Sequence, residues 1–171
     1  MDVVKAPDNR LRVKTRPVKK ITPALKSLIT QMIKLTKTFQ DPEGVGLAST
    51  QVDLDERFFV AKRGGKFVTC INPEITFRSK RTKKYFEGCL SIPNYFGETK
   101  RSLNIKVTYQ NLNGKQVAES LKSLDAWIFQ HEMDHLDGTL FPDKVLAEKG
   151  RFYKFSGKDK RGEDIFEEVT L

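Results

Sequence analysis

The sequence predicts an α+β domain in which mixed or antiparallel strands pack around one buried helix. Three observations lead to this prediction: an amphipathic helical segment near the N-terminus, several short runs of strand-like composition, and a second helical segment late in the chain. The second helical segment contains the only two histidines of the chain, His131 and His135. The chain ends in a tail that is also strand-like.

The length and composition fit a single domain that spans residues 1–171. The chain is 38% hydrophobic and 31% charged, which is typical of a soluble globular protein. Two cysteines, Cys70 and Cys89, are too few for a disulfide framework at this length, which favours a reducing compartment. No apolar run could span a bilayer, and the N-terminus lacks the apolar core of a secretory signal. We therefore expect a mature cytoplasmic protein with no membrane partner.

The formal net charge of +9 at pH 7 is high for a chain of this size. Such a surface attracts polyanions such as RNA, but it is also typical of a basic surface that keeps a protein in solution. No basic stripe is interleaved with aromatic residues in the manner of an RNA-binding signature. Charge therefore favours the solvated surface and assigns no partner.

The first helix is predicted within ITPALKSLITQMIKLTKTF, which follows an extended start at residues 11–18. Thr22 and Pro23 suit the N-cap and the first turn of a helix. The apolar residues of the segment recur at the spacing of one helical face: Leu25, Leu28, Ile29, Met32, Ile33 and Leu35.

The strands are predicted from β-branched and aromatic runs bounded by turn residues. A glycine-rich loop at residues 41–51 precedes the first of them, and Gly64-Gly65 and Asn113-Gly114 mark hairpin turns. The tail at 151–171 predicts two short strands around a polar turn at 158–162. The other predicted strands are 57–62, 66–77, 103–110 and 115–120.

The second helix is predicted at residues 124–136, with Ser123 as its N-cap and Gly138 just past its end. Leu124 and Ile128 recur with the two histidines at helical spacing, so all four are expected on the inward face. Histidines at i and i+4 can bind one metal ion together. Two core histidines hydrogen-bonded to the backbone are the structural alternative. Glu132, between the histidines, could take a proton from a metal-activated water.

A third metal ligand is needed if this helix holds a catalytic ion. Downstream, the metzincin pattern fails at Phe141, and Glu148 and Glu163 lie in segments that resemble turn or strand. Upstream, Cys89 in EGCLSIP follows a glycine and precedes a turn-like Ser-Ile-Pro, so we expect it in a loop. Its thiolate would complete a Cys-His-His site for Zn²⁺ or Fe²⁺, whereas Cys70 is expected to be a buried apolar residue. Spacing favours Cys89 only narrowly.

Three motifs in this order, GVGLASTQ, EGCLSIP and QHEMDHLDG, resemble the peptide deformylase family. The first motif is a poor nucleotide-binding fingerprint, which would require glycine at Ser49. The resemblance covers nearly the whole chain and includes PDNRLRVKTRPV, FVTCINPEI and KRSLNIKVTYQNLNGK. It implies a metal-dependent hydrolase that removes the formyl group from the initiator methionine of nascent proteins. We expect this protein to be a monomer.

The resemblance also implies a role for each motif residue. Cys89, His131 and His135 would bind one divalent metal ion, commonly Fe²⁺, with Zn²⁺, Ni²⁺ or Co²⁺ in purified protein. Glu132 would be the catalytic acid and base. Gln51 and the backbone N–H of Leu90 would face the carbonyl oxygen of the substrate.

A pocket for the methionine side chain is implied as well, and the substrate backbone is expected to pair with strand edges at 44–46 and 94–97. Trp127 is bulkier than the residue that the family usually has there, and helix packing explains it equally well. By resemblance, the walls of the pocket would be Val45, Gly46, Tyr85, Leu124, Trp127 and Ile128.

Two features depart from the family pattern: one residue of the first motif, and the C-terminal tail that affects docking on a partner. Ser49 stands where a second alanine is usual, and the tail lacks the long C-terminal helix that helps some bacterial members to dock on the ribosome. The ribosome therefore remains a candidate partner mainly because of the basic surface. Two other functions remain open: a zinc endopeptidase, and a non-enzymatic basic module that binds ribosomal RNA.

Overall fold

The structure is a computed structural model that describes residues 1–40 and 42–170. Asp41, the first residue of the predicted glycine-rich loop, and Leu171, the last residue of the predicted tail, lie outside the described residues. The described part contains three α-helices: α1 (Pro23–Thr38), α2 (Ser123–Leu136) and α3 (Phe141–Ala147). Its nine strands are β1 (Gly46–Ala48), β2 (Phe58–Arg63), β3 (Lys66–Arg78), β4 (Thr82–Cys89), β5 (Ile92–Ser102), β6 (Asn104–Gln110), β7 (Gln116–Lys122), β8 (Phe152–Lys158) and β9 (Asp164–Val169).

Two antiparallel sheets enclose helix α2, which confirms the predicted α+β fold. One sheet has the strand order β1-β2-β3-β6-β7, and the other has the order β4-β5-β8-β9. Helix α2 contacts β1, β2, β6 and β7 of the first sheet and β5 of the second. Its apolar residues, including Ala126, Phe129 and Leu136, share a core with Phe59 and Val107 of the first sheet. The histidine-bearing helix is therefore buried between the two sheets, with mostly hydrophobic contacts.

Helix α1 begins as the sequence predicts. The side chain of Thr22 accepts a hydrogen bond from the backbone N–H of Leu25 at 3.1 Å, and Pro23 occupies the first turn. Leu25, Ile29 and Met32 pack into a second core with strand β2. Before this helix, residues Asn9–Arg12 form one turn of 3-10 helix, so the predicted extended start at residue 11 is wrong for its first two residues.

Helix α2 departs from its prediction at its beginning. Ser123 is the first helical residue, not the N-cap, and it has φ +50°. Its backbone N–H still bonds to the carbonyl of Leu103 at 2.9 Å, so the chain passes directly from strand β7 into the helix. Leu124, in this first turn, is 55% exposed, and the predicted inward position is wrong because the buried residues of the helix begin at Ala126. Gly138 follows the end of the helix as predicted, with φ +73°.

The C-terminal tail forms the β8–β9 hairpin, as predicted, and strand β8 pairs with β5. Helix α3 was not predicted, and it packs Phe141 and Val145 against Phe152 of the hairpin. No helix in the described part of the chain has the length and apolar character that a bilayer crossing requires.

Candidate metal centre and active site

Three side chains from two segments meet in the interior. Cys89, His131 and His135 are all buried, and their ligand atoms lie within 4.8 Å of one another. The sulfur of Cys89 is 3.2 Å from Nε2 of His135. The i, i+4 spacing on α2 turns both imidazoles to the same side, as the sequence predicts.

Cys89 is the last residue of strand β4, so its predicted loop position is wrong by one residue. The antiparallel register between β4 and β5 shifts between Gly88 and Cys89. This irregularity ends the regular pairing and directs the thiol toward α2. Only Leu90 and Ser91 separate Cys89 from strand β5, so the turn lies one residue earlier than the predicted Ser-Ile-Pro, whose Ile92 and Pro93 already belong to the strand.

The two cysteines have opposite electrostatic surroundings. Burial raises the pKa of the Cys70 thiol far above its usual value, which keeps it protonated. Burial acts in the same direction on Cys89, but the charges and hydrogen bonds of His135 and His131 lower its pKa to about 5. Cys89 is therefore a thiolate near neutral pH, which is the form that binds metals. Cys70 packs in the core of the first sheet, as predicted.

The donor set fits a divalent transition-metal ion. One thiolate and two imidazoles suit Zn²⁺ or Fe²⁺, and three protein ligands leave a coordination position for water or substrate. Nδ1 of His131 is held at 2.9 Å from a carboxylate oxygen of Glu87, which leaves Nε2 of His131 for a metal.

A buried ionic network supports His131, and the sequence analysis did not identify it. Glu87 is completely buried between His131 and Arg101. The Nε atom of Arg101 lies 2.6 Å from one carboxylate oxygen of Glu87, and its Nη2 atom lies 2.9 Å from the other. Thr99 donates a hydrogen bond to the same carboxylate, and Arg101 donates another to Asp134. Burial alone would raise the pKa of Glu87, but the hydrogen bonds and charges of Arg101 and His131 hold it well below the usual range. The signal that could have revealed this network was the charged residue Glu87 inside strand β4, directly before Gly88 and Cys89.

Glu132 points into the same site. Burial raises the pKa of its carboxyl group to about 7, against the opposing charges of His131 and His135. Its Oε2 is buried and has no hydrogen-bond partner within residues 1–40 and 42–170. The other oxygen lies over Gly46, where an added Cβ would be only 2.2 Å away. Glycine at position 46 therefore leaves room for the carboxylate.

Gln51 and the turn after Cys89 form the opposite side of the site. Gln51 lies in a 3-10 turn, Ser49–Val52, where its Oε1 accepts a hydrogen bond from the backbone N–H of Ala48 at 2.9 Å. This bond directs Nε2 toward the hydroxyl of Ser91 at 3.0 Å and the sulfur of Cys89 at 3.4 Å. Gln51, Leu90 and Glu132 thus line one cavity. Ser49 is fully buried and bonds to the carbonyl of Glu56 at 2.6 Å.

The cavity has a volume of about 180 Å³, several times that of a water molecule. Four of the six predicted pocket residues line it: Val45, Gly46, Trp127 and Ile128. Tyr85 does not line it but stacks on Trp127, with ring centroids 5.3 Å apart. Leu124 does not line it either and is exposed, because it precedes the packed part of α2. Further lining residues not predicted from sequence are Pro42, Glu43, Phe86 and Gly88. Phe96 also lines the cavity and belongs to the segment 94–97, but the free strand edge predicted there is wrong because residues 96–97 pair with both β4 and β8.

Comparison with known families supports the same interpretation of this geometry. Residues 1–151 match the family model described as polypeptide deformylase. The chain belongs to the peptide deformylase family. Its activity is the hydrolysis of the N-formyl group on the initiator methionine of new proteins, and the family together with the buried Cys-His-His cluster implies a divalent metal ion.

Peptide deformylases of several bacteria are similar to this chain. The enzyme of Thermotoga neapolitana is 45% identical over 142 residues, which cover 83% of this chain and 85% of the relative. The crystal structure of the Thermotoga maritima deformylase matches with a TM-score of 0.79 at 43% identity, covering 83% of this chain and 95% of that one. A Met-Ala-Ser-bound deformylase from Acinetobacter baumannii matches with a TM-score of 0.78 at 29% identity, covering 85% and 98%.

Membership of the deformylase family also decides between the functions that the sequence left open. Neither the relatives nor the arrangement of the described residues favours a zinc endopeptidase or a non-enzymatic module. The H-E-x-x-H helix of this deformylase lies beside an upstream cysteine, Cys89, in one buried cluster.

Proposed function

We propose that Cys89, His131 and His135 bind one divalent ion, and that this ion is Fe²⁺ in the working enzyme, with Zn²⁺, Ni²⁺ or Co²⁺ able to replace it. The observation that carries the proposal is the convergence of the three ligand atoms within 4.8 Å. Glu132 faces the same cavity with a buried, unpartnered oxygen. A thiolate beside two imidazoles is compatible with each of these metals, so the choice of Fe²⁺ rests on the family.

Glu132 transfers the proton in the proposed mechanism. When bound, the ion supplies Lewis-acid chemistry that activates water for attack at neutral pH. With a pKa of about 7, Glu132 can accept a proton from the attacking water and later donate it to the leaving amine. The products are formate and a peptide with a free methionyl N-terminus. The unpartnered Oε2 is the atom that we assign to this proton transfer.

Gln51 and Leu90 stabilise the charge that develops on the formyl oxygen. The carbonyl oxygen of Gln51 is already occupied by the N–H of Ala48, so its amide N–H groups are the part directed into the site. The backbone N–H of Leu90 is the second donor that we assign. Loss of one such donor typically costs about 10²–10³ in rate.

The formyl-methionyl end of a nascent peptide is the substrate that the cavity accommodates. Its methionine side chain would lie against Val45, Trp127 and Ile128, which are apolar. Tyr85 supports Trp127 by stacking on it, and we assign no binding role to Leu124, which is exposed and does not line the cavity. Strand β1 lies at an edge of its sheet and offers backbone groups to an extended peptide.

In this proposal residues 1–171 form a single catalytic domain. The protein is cytoplasmic and acts as a monomer. Both cysteines are free thiols, which agrees with a reducing compartment. We also propose a ribosome contact through the basic segment, defined as residues 78–84. Its five basic side chains are all exposed, and they are Arg78, Lys80, Arg81, Lys83 and Lys84.

The test is formate release from a formyl-Met-Ala-Ser peptide by protein prepared without oxygen and loaded separately with Fe²⁺ and Zn²⁺. Rapid release that is lost in Cys89→Ala, but retained in Cys70→Ala, would support the reaction and the third ligand. The faster metal would identify the preferred ion. No release with either metal, from folded and metal-loaded protein, would overturn the proposed function.

A further inference from the structure

Five aromatic side chains form a continuous surface on the second sheet, called the aromatic face below. Phe86 and Phe96 stack with ring centroids 5.3 Å apart, and Phe166 contacts each of them edge-on at 5.0 Å. Tyr153 reaches Phe86 at 5.5 Å, and Phe155 reaches Phe166 at 6.0 Å. The aromatic face therefore joins strands β4 and β5 to the C-terminal hairpin.

Antiparallel register explains why these rings share one side of the sheet. Directly paired residues point to the same side, and Phe96 pairs with both Gly88 and Tyr153. Phe155 pairs with Phe166 in the hairpin. Gly88 has a specific part in this arrangement, because a Cβ there would lie 2.6 Å from the ring of Phe96.

The aromatic face continues into the active-site cavity. Phe86 and Phe96 belong to the face and also line the cavity that contains Glu132 and Cys89. Phe86 is 44% exposed, so part of the apolar surface beside the cavity is open to solvent. Tyr153, Phe155 and Phe166 extend this area away from the cavity, and they lie beyond the residues 1–151 that match the family. The hairpin thus adds an apolar surface to a site whose catalytic residues all lie within the matched part.

We propose that the aromatic face binds the side chain that follows the formyl-methionine, and that it makes the enzyme prefer substrates with an aromatic or large apolar residue at that position. This inference rests on the proposed function. In an extended peptide, successive side chains point to opposite sides. A methionine side chain that lies against Trp127 and Ile128 of α2 leaves the next side chain free to turn toward Phe86 and Phe96.

Apolar contact, not charge, is the selective interaction in this proposal. Lys84 and Glu98 flank Phe86 and lie 3.6 Å apart, so their charges offset each other. Glu98 pairs directly with Phe86 across the strands. An aromatic side chain of the substrate could add one more ring to the cluster in an offset or edge-on geometry.

The test measures kcat/KM for formyl-Met-Phe-Ser and formyl-Met-Ala-Ser with the metal-loaded enzyme. The wild type should prefer the phenylalanine peptide, and Phe166→Ala should reduce that preference by about 3- to 10-fold. Ile165→Ala is the matched control, because Ile165 is an exposed neighbour on the same strand whose side chain lies on the opposite side of the sheet. It should leave the preference unchanged. Phe86→Ala, which removes one of the two rings that line the cavity, should reduce the preference at least as much.

Equal turnover of the two peptides by the wild type would overturn the inference and leave the proposed function intact. A preference that survives both Phe166→Ala and Phe86→Ala would also overturn it. Absence of turnover with either peptide would instead overturn the proposed function, and this inference with it. Since the readout is a ratio within each variant, a general loss of folded protein does not imitate the expected result.

Discussion

At the scale of single residues, Glu132 is the strongest target for mutation. Replacing Glu132 by Gln keeps the shape of the side chain but removes its proton transfer, so formate release should fall by about 10²–10⁴-fold. The Cys-His-His donors are unchanged, and metal content should stay at the wild-type level. Glu167→Gln, an exposed residue of strand β9, is the control. Substantial residual activity of the Glu132 variant would remove this residue from the mechanism.

The two thiols should differ sharply in their reaction with alkylating reagents. In metal-free protein the pKa of Cys89 is about 5, so this thiol is ionised at pH 7, whereas burial keeps Cys70 protonated. Iodoacetamide should therefore modify Cys89 first, with a rate that rises through pH 5 and then levels off. Peptide mapping across pH 4–9 measures this. Preferential labelling of Cys70, or a midpoint near the usual thiol pKa, would contradict it.

Residue-level prediction from the sequence succeeded where the partners are close along the chain. His131 and His135 share a helix face because of their spacing, and no tertiary information is needed to see it. Glu87 and Arg101 could not be paired in this way, because strand register between β4 and β5 and the position of α2 bring them together. Gly46 was predicted as a pocket wall, but its proximity to the Glu132 carboxylate is visible only in the folded chain.

At the scale of elements, the Glu87–Arg101 pair joins strands β4 and β5 to helix α2. Both side chains are almost completely buried, so Arg101→Ala leaves the Glu87 charge unpaired and should lower the free energy of unfolding by about 3–5 kcal/mol. It should also weaken metal binding through His131, by about 10- to 100-fold. Arg16→Ala removes a solvent-exposed pair with Asp55 and should change the free energy of unfolding far less than Arg101→Ala does. Urea denaturation and metal titration of both variants measure these effects; equal stability losses would contradict the expectation.

The N-terminal segment holds two active-site turns in place. The N–H of Val4 donates a hydrogen bond to the carbonyl of Gln51 at 2.8 Å, and the N–H of Ala6 donates one to the carbonyl of Ser91 at 2.9 Å. Lys5 adds a bond from its ammonium to the carbonyl of Leu90 at 2.6 Å. Deleting residues 1–6 should lower kcat by about tenfold or more, because the two oxyanion donors lose support. Metal content should not change.

Deletion of Met1 and Asp2 alone is the matched control for that truncation, since it leaves the three hydrogen bonds intact. The two shortened proteins should differ in kcat and agree in metal content. Similar kcat values would show that the turns at Gln51 and Leu90 hold their geometry without the N-terminal segment.

Elements with a strong local signal were predicted well, and short or context-dependent ones were not. Helix α1 has six periodic apolar residues and a capping threonine, and it was confirmed. Helix α3 has only seven residues, too few for a period to be visible, and it is held by contacts with the hairpin. The start of α2 was misplaced because strand pairing at Ser123 overrides the capping preference of serine.

At the scale of the whole molecule, the basic segment offers a test of ribosome binding. Lys80→Glu together with Arg81→Glu should reduce cosedimentation with ribosomes at low salt, and the wild-type binding should weaken steeply as salt increases. Lys19→Glu with Lys20→Glu makes the same charge change on another exposed segment and should retain binding. Formate release from a short peptide should be unaffected in both variants. Equal loss in the two pairs would indicate a general effect of net charge.

The metal ligands also affect the unfolded chain, because they lie far apart in the sequence. Cys89 and His135 are 46 residues apart, yet their side chains meet within one donor cluster. An ion held by both would close the intervening chain, which includes strands β5, β6 and β7, into a loop. Like a covalent bridge, such a closure removes extended conformations from the unfolded ensemble. The ion then has a structural role as well as a catalytic one. Oxidation or loss of the metal would destabilise the fold that positions the remaining catalytic groups.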